Sequence, residues 1–244
     1  MANQILKDAR LWMGGYNLSG DANRMVIDLS AELQDDSVLE DTARSRMAGL
    51  LLTSLQCEGF WRAGSAAPDD VLDGYFALAD VPVSACPIAG GGAVGDRAFT
   101  FRALLGEFQR GAAVGELLRY SAGAEGSGGV PLVRGAVLEN ATRTNSGNAS
   151  GVQLGALAAD QKLYVALHVL SADGSTPSLT VKVQSDDNSS FTSATDRLTF
   201  SAKSAIGYDW GSVDGAVTDD WWRINCTISG SGPSFRVVAV AGIR

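Results

Sequence analysis

The sequence predicts a mainly β chain: an N-terminal β-sandwich or barrel with one short helix, followed by a C-terminal β-sandwich. Three observations carry this. Short runs of β-branched and aromatic residues alternate with polar ones. Turn-forming Gly, Ser, Asn and Asp separate them, with 29 glycines in 244 residues. Hydrophobic residues reach 45% while charged ones stop at 19%, a globular balance rather than a disordered one.

Residues 5–13 read as strand, with a turn at Gly14-Gly15 and a polar link over 17–23. The alternating run Met25-Val26-Ile27-Asp28-Leu29 completes an opening hairpin. Between residues 32 and 46 the acids Glu32, Asp35, Asp36, Glu40 and Asp41 precede Arg44 and Arg46, with few apolar residues. That pattern predicts a long solvated loop, which a compact domain keeps only for a purpose. Residues 50–60 return to strand and end in Phe60-Trp61.

Pro68-Asp69-Asp70 is a helix start, since proline suits the first turn and carboxylates favour the positive end of the dipole. Val71, Leu72, Tyr75, Phe76 and Ala79 recur at helical spacing, so an amphipathic helix is predicted over 69–79. Strands follow at 99–108, 115–122 and 131–138. The polar stretch 140–150 reads as a linker, placing two domains at 1–142 and 143–244. Beyond it strands are predicted at 162–170, 178–184, 196–200, 220–228 and 234–240, the spacing of an all-β sandwich.

A net charge of -8 opposes binding to phosphate backbones. No apolar run is long enough for a membrane helix, and the charged N-terminus predicts no secretory signal. Cys57, Cys86 and Cys226 are odd in number and far apart, which predicts reduced thiols without metal spacing.

Gly90-Gly91-Gly92-Ala93-Val94-Gly95 fits G-x-G-x-x-G, but a dinucleotide site needs a strand before it and a helix after it. Pro82 and Pro87 precede it and strand character follows, so it reads as a hairpin loop. His168, the single histidine, lies in a strand among Leu163, Val165, Leu167 and Val169 and reads as structural. Asp186-Asp187-Asn188 and Asp219-Asp220 read as solvated turns rather than a calcium site, because EF-hand spacing is missing. In Trp221-Trp222-Arg223, adjacent strand residues face opposite ways. One indole should enter the core and the other should meet a rim or an interface with Arg223; a sugar-stacking surface using Trp210, Trp221 or Trp222 is the alternative. No catalytic residue, cofactor or metal is expected, although strand-borne acids can converge in space as a glycosidase-like pair.

Residues 5–20, the acidic loop ending Arg46-Met-Ala-Gly-Leu, the segment Cys57-Glu-Gly-Phe-Trp and the later Gly123-Ala-Glu-Gly-Ser-Gly with Val133-Arg-Gly together resemble siphophage tail-tube and related structural proteins. The resemblance covers the first 140 residues or so, and the second half is similar to the accessory sandwich domains such proteins append. It implies six subunits joined into rings that stack as a hollow tube, with DNA passing without specific binding. It also implies partners among other tail or head proteins, assembly in the host cytoplasm and residence in the virion. Asp35, Asp36, Glu40, Asp41, Arg44 and Arg46 are then expected at an inter-ring or inter-subunit contact. A capsid decoration or minor tail protein, or a glycan-binding C-terminal half, is the alternative.

Overall fold

A computed structural model describes residues 5–244. The chain is mainly β. In order it forms β1 (Arg10–Met13), β2 (Tyr16–Asn17), β3 (Ala22–Asp35), β4 (Arg46–Phe60), α1 (Pro68–Tyr75), β5 (Val81–Cys86), β6 (Arg97–Gly111) and β7 (Arg119–Gly126). It continues with β8 (Val133–Arg143), β9 (Gly147–Asn148), β10 (Val152–Gln153), β11 (Lys162–Asp186), β12 (Thr195–Thr199), β13 (Gly207–Asp214) and β14 (Trp221–Ile243). Two compact units interleave along it. One holds the described residues up to Asp21, Val81–Arg102 and Val133–Arg244; the other holds Ala22–Asp80 and Ala103–Leu132.

The larger unit is organised by β11 and β14, which pair antiparallel from Leu163↔Ile243 to Asp186↔Trp221. Sequence reasoning split each into two strands because Gly174-Ser-Thr-Pro177 and Gly230-Ser-Gly-Pro233 carry turn chemistry. Instead the pair bends there, with the register shifting between Asp173, Ser175 and Ser178. Gly174 and Gly230 sit at φ of 116° and 117°, and a Cβ on either would lie 2.8 Å from a carbonyl oxygen of the facing strand. Only glycine takes that backbone at that approach. Buried residues from both halves of each strand, including Val165, Val181, Trp222, Ile224 and Val237, share one apolar cluster, so the bent pair closes on itself as a sandwich.

Residues 140–150, expected as a linker, are not one. β8 runs on to Arg143 and pairs with β14 over Phe235↔Arg143 to Ala241↔Ala136, and β9 pairs with the same strand at Asn225↔Asn148. Next to β8 come the first half of β6, then β5, β1 and β2. β1 pairs with β5 and turns at Gly14 into β2, so the opening strand forms no hairpin with the run at 25–29.

The smaller unit is built on β4. β3 pairs along it from Ala22↔Gly59 to Asp35↔Arg46, and β7 covers its other edge over residues 54–60. α1 ends at Tyr75 rather than at 79, and Ala77, at positive φ, donates its N–H to the Leu105 carbonyl. Val71 and Leu72 are buried as expected, whereas Phe76 is half exposed. Arg110 from β6 holds the acidic side of the helix, at 2.5 Å from Asp69 Oδ1 and 2.6 Å from Asp73 Oδ1. Leu55, Cys57, Leu105, Tyr120 and Ala122 fill this core.

Candidate functional site

Leu50-Leu51-Leu52 places three leucines in a row on a strand, and successive strand side chains point to opposite faces. No single sheet face can bury them all. From Thr53 onward β4 alternates between buried and exposed, because β7 and the core lie beside it. From Arg46 to Leu52 every residue is exposed. That stretch and the matching part of β3 form a two-stranded arm carrying Leu33, Met47, Leu50, Leu51 and Leu52, with Leu50 74% exposed. Such ribbons are marginally stable alone, and apolar surface on both faces marks an interaction site.

The acids predicted to lie in a loop are at the end of this arm. Glu32 and Asp35 are still within β3, Arg46 opens β4 opposite Asp35, and Asp36, Glu40, Asp41 and Arg44 occupy the connecting tip. The tip is ordered from within. Val38 donates its N–H to Asp41 Oδ2 at 2.9 Å, Asp41 donates its N–H back to the Val38 carbonyl, and Ser45 donates to Ser37 Oγ at 2.9 Å. Ser37, through its hydroxyl and backbone N–H, holds the Asp35 carboxyl below the usual carboxylate range.

The tryptophans do not form one surface. Trp222 is fully buried and donates Nε1–H to the Gly155 carbonyl at 2.9 Å, as the core half of the expected pair. Trp221 is half-buried opposite Asp186 at one end of the bent strands, while Trp210 lies on β13 against the other half, 6.0 Å from the Tyr164 ring. Arg223 stacks on Phe191 at 4.2 Å and donates Nε–H to Gln184 Oε1.

His168 is fully buried. Its Nδ1 donates to the Gly14 carbonyl at 2.7 Å, and its Nε2 accepts from Ser84 Oγ at 2.8 Å. Burial pushes its pKa from 6.5 down to about 4, against the opposing pull of the Gly14 carbonyl. The unfolded chain therefore binds this proton more readily. Stability from neutral His168 is fully present above pH 6.5 and falls by about 3 kcal/mol as the pH drops towards 4. Urea unfolding at pH 7.5, 5.5 and 4.5 should show the decline, and His168→Gln should remove most of the slope between 6.5 and 4.5. An unchanged slope would assign the acid sensitivity elsewhere.

The glycine motif is a β5–β6 connection whose glycine N–H groups are all already taken. Asp96 Oδ2 accepts the N–H of Gly92 at 2.9 Å and of Ala93 at 2.8 Å. An internal carboxylate thus stands where a phosphate would have to sit. Asp186 caps its turn by accepting from Asn188 and Ser193, and Asp219 accepts from Ser185 and Arg197. Ser185 and Arg197 keep the Asp219 carboxyl below its usual range. Among the described residues no three His, Cys, Asp or Glu side chains are placed to hold a metal ion, and no helix is long and apolar enough to cross a membrane. The three cysteines are buried and unpaired, and burial pushes Cys57 and Cys226 up to about 12.

In the larger unit, a cavity of about 850 Å³ is lined by Asp96, Arg97 and Phe99, by Arg134 and by Gln153 and Leu154.

No known family model and no curated protein matches the sequence. Among solved structures, the chain is similar to a component of the virion of a native gene transfer agent particle. The identity is 14% and the TM-score 0.41, over 53% of this chain and 98% of that one. A chain in the tail of an empty gene transfer agent particle, refined with C6 symmetry, is similar at 15% identity and TM-score 0.42, over 53% and 97%. The neighbours are components of virus-type particles. The SPP1 Dit protein, described as a hub of the adsorption apparatus in phages infecting Gram-positive hosts, is similar at 10% identity and TM-score 0.37, over 97% and 99%.

Proposed function

We propose that the chain is a non-enzymatic structural subunit of a tailed-phage virion, whose copies join through the β3–β4 arm into rings that stack as a tail tube. The observation that carries this reading is the arm itself, with leucines on both faces and none of them buried between Arg46 and Leu52. Covering one such leucine is worth about 1.5–3 kcal/mol, so several together supply a strong drive to associate. Flat, exposed strands invite pairing with another chain, and closing a ring removes that liability. A net charge of -8 suits a lumen that lets DNA slide past. Six subunits per ring is what the sequence resemblance implies.

On this reading the protein assembles in the host cytoplasm and resides in the virion, with other tail or head proteins as partners. Negative-stain microscopy and sedimentation velocity of the purified chain test it. Rings or stacked tubes are the expected result. A chain that stays monomeric at high concentration would overturn it, and a copy number that follows capsid symmetry would move it to a decoration role.

A further inference from the structure

We propose that the arginine-lined cavity of the larger unit receives the acidic arm tip of a second copy. This rests on the reading that copies assemble, and goes beyond it by naming where the tip lands.

The cavity has four polar side chains at issue, Asp96, Arg97, Arg134 and Gln153. Asp96 is occupied by the N–H groups of Gly92 and Ala93, and Gln153 donates to Asp220 Oδ2 at 2.5 Å. Arg97 and Arg134 are both exposed, and their guanidinium groups have no hydrogen bond or ion pair among the described residues. They share one face of the β6–β8 pair, because Phe99 stands directly opposite Arg134 and Arg97 opposite Ala136. Two uncommitted guanidinium groups therefore flank an aromatic ring, in a chain of net negative charge. Ile88, Leu154 and Ile243 supply apolar wall.

The tip presents the matching chemistry. Leu39 is wholly exposed and Val38 is 66% exposed. On either side of them stand Asp36 and Glu40, whose carboxylates also lack a partner among the described residues. Asp35 and Asp41 are used to shape the turn, so two carboxylates remain for the two arginines. Arg44 and Arg46 sit toward the β4 side, with Arg46 opposite Asp35, which leaves the outer end acidic. The tip is held by its own hydrogen bonds, so docking it costs little further ordering. A cavity of this size is in the range that takes several side chains at once.

The test uses the full chain with the photoreactive residue p-benzoylphenylalanine in place of Leu39. Equal amounts of ¹⁴N and ¹⁵N protein are irradiated and the products mapped by mass spectrometry. Mixed-isotope cross-links should fall within residues 95–99, 134–136 or 152–154. Arg97→Glu with Arg134→Glu should lower their yield roughly tenfold, with a steep dependence on salt. Mixing that variant with a probe-bearing Asp36→Lys/Glu40→Lys chain should restore them. Cross-links that land elsewhere in an assembled sample, or a yield indifferent to charge reversal, would overturn the docking site and leave the assembly reading standing. A chain that stays monomeric would overturn both.

Discussion

Under the proposed arm-mediated assembly, Leu50→Asp combined with Leu52→Asp should leave the chain monomeric with its thermal midpoint nearly unchanged. The two residues are one strand repeat apart and so project from the same face of the arm. Both are largely exposed within the chain, at 74% and 55%, so little folding energy depends on them. At a contact between copies each leucine contributes about 1.5–3 kcal/mol, and an aspartate buried in its place adds a desolvation cost. The association constant should fall by roughly two to four orders of magnitude. Sedimentation velocity reads that loss and a thermal melt reads the folding control. Persistent rings with unchanged sedimentation would remove the arm as the assembling element.

Trp222→Ala should behave in the opposite way, destabilising the fold by about 3–5 kcal/mol. The indole is fully enclosed with Ile224, Val181 and Val165 in one cluster, and its loss also strands the Gly155 carbonyl. Against a usual total stability of about 5–15 kcal/mol, this is enough to unfold a substantial fraction of the protein near physiological temperature. Trp221→Ala, one residue earlier and half-buried, should cost about 1 kcal/mol or less. Urea unfolding of the two variants side by side measures the contrast. Equal losses would contradict their placement on opposite faces of β14.

Much of the β architecture was legible because alternation survives in short stretches, as at Leu163–Val165–Leu167–Val169, whose one-sided clustering the structure reproduces. The helix start at Pro68 was readable from proline and acid chemistry, but its end was not: Ala77 donates a tertiary hydrogen bond to the Leu105 carbonyl of β6 that no local pattern announces. β13 escaped notice because the alternation in Gly-Tyr-Asp-Trp-Gly-Ser is confined to Tyr208 and Trp210 between glycines; it is a strand because β11 offers it an edge. At the candidate site, the acidic residues were identifiable, while the arm beneath them was hidden by reading polarity as a loop. In fact Glu32, Gln34 and Asp35 stand exposed on β3 beside an equally exposed Leu33. Arg97 and Arg134 carry no mutual signal in sequence, since only the β6–β8 register brings them to one face.

The bend at Gly174 and Gly230 also governs how the larger unit gains and loses structure. Because β11 and β14 each run through both layers, neither layer has a boundary at which it could detach from the other. Forming either one requires bringing together segments far apart along the chain, so the loop-closure entropy is met before the apolar cluster rewards it. The unit is thereby built to exist whole or not at all, with no layer free to fray ahead of the other.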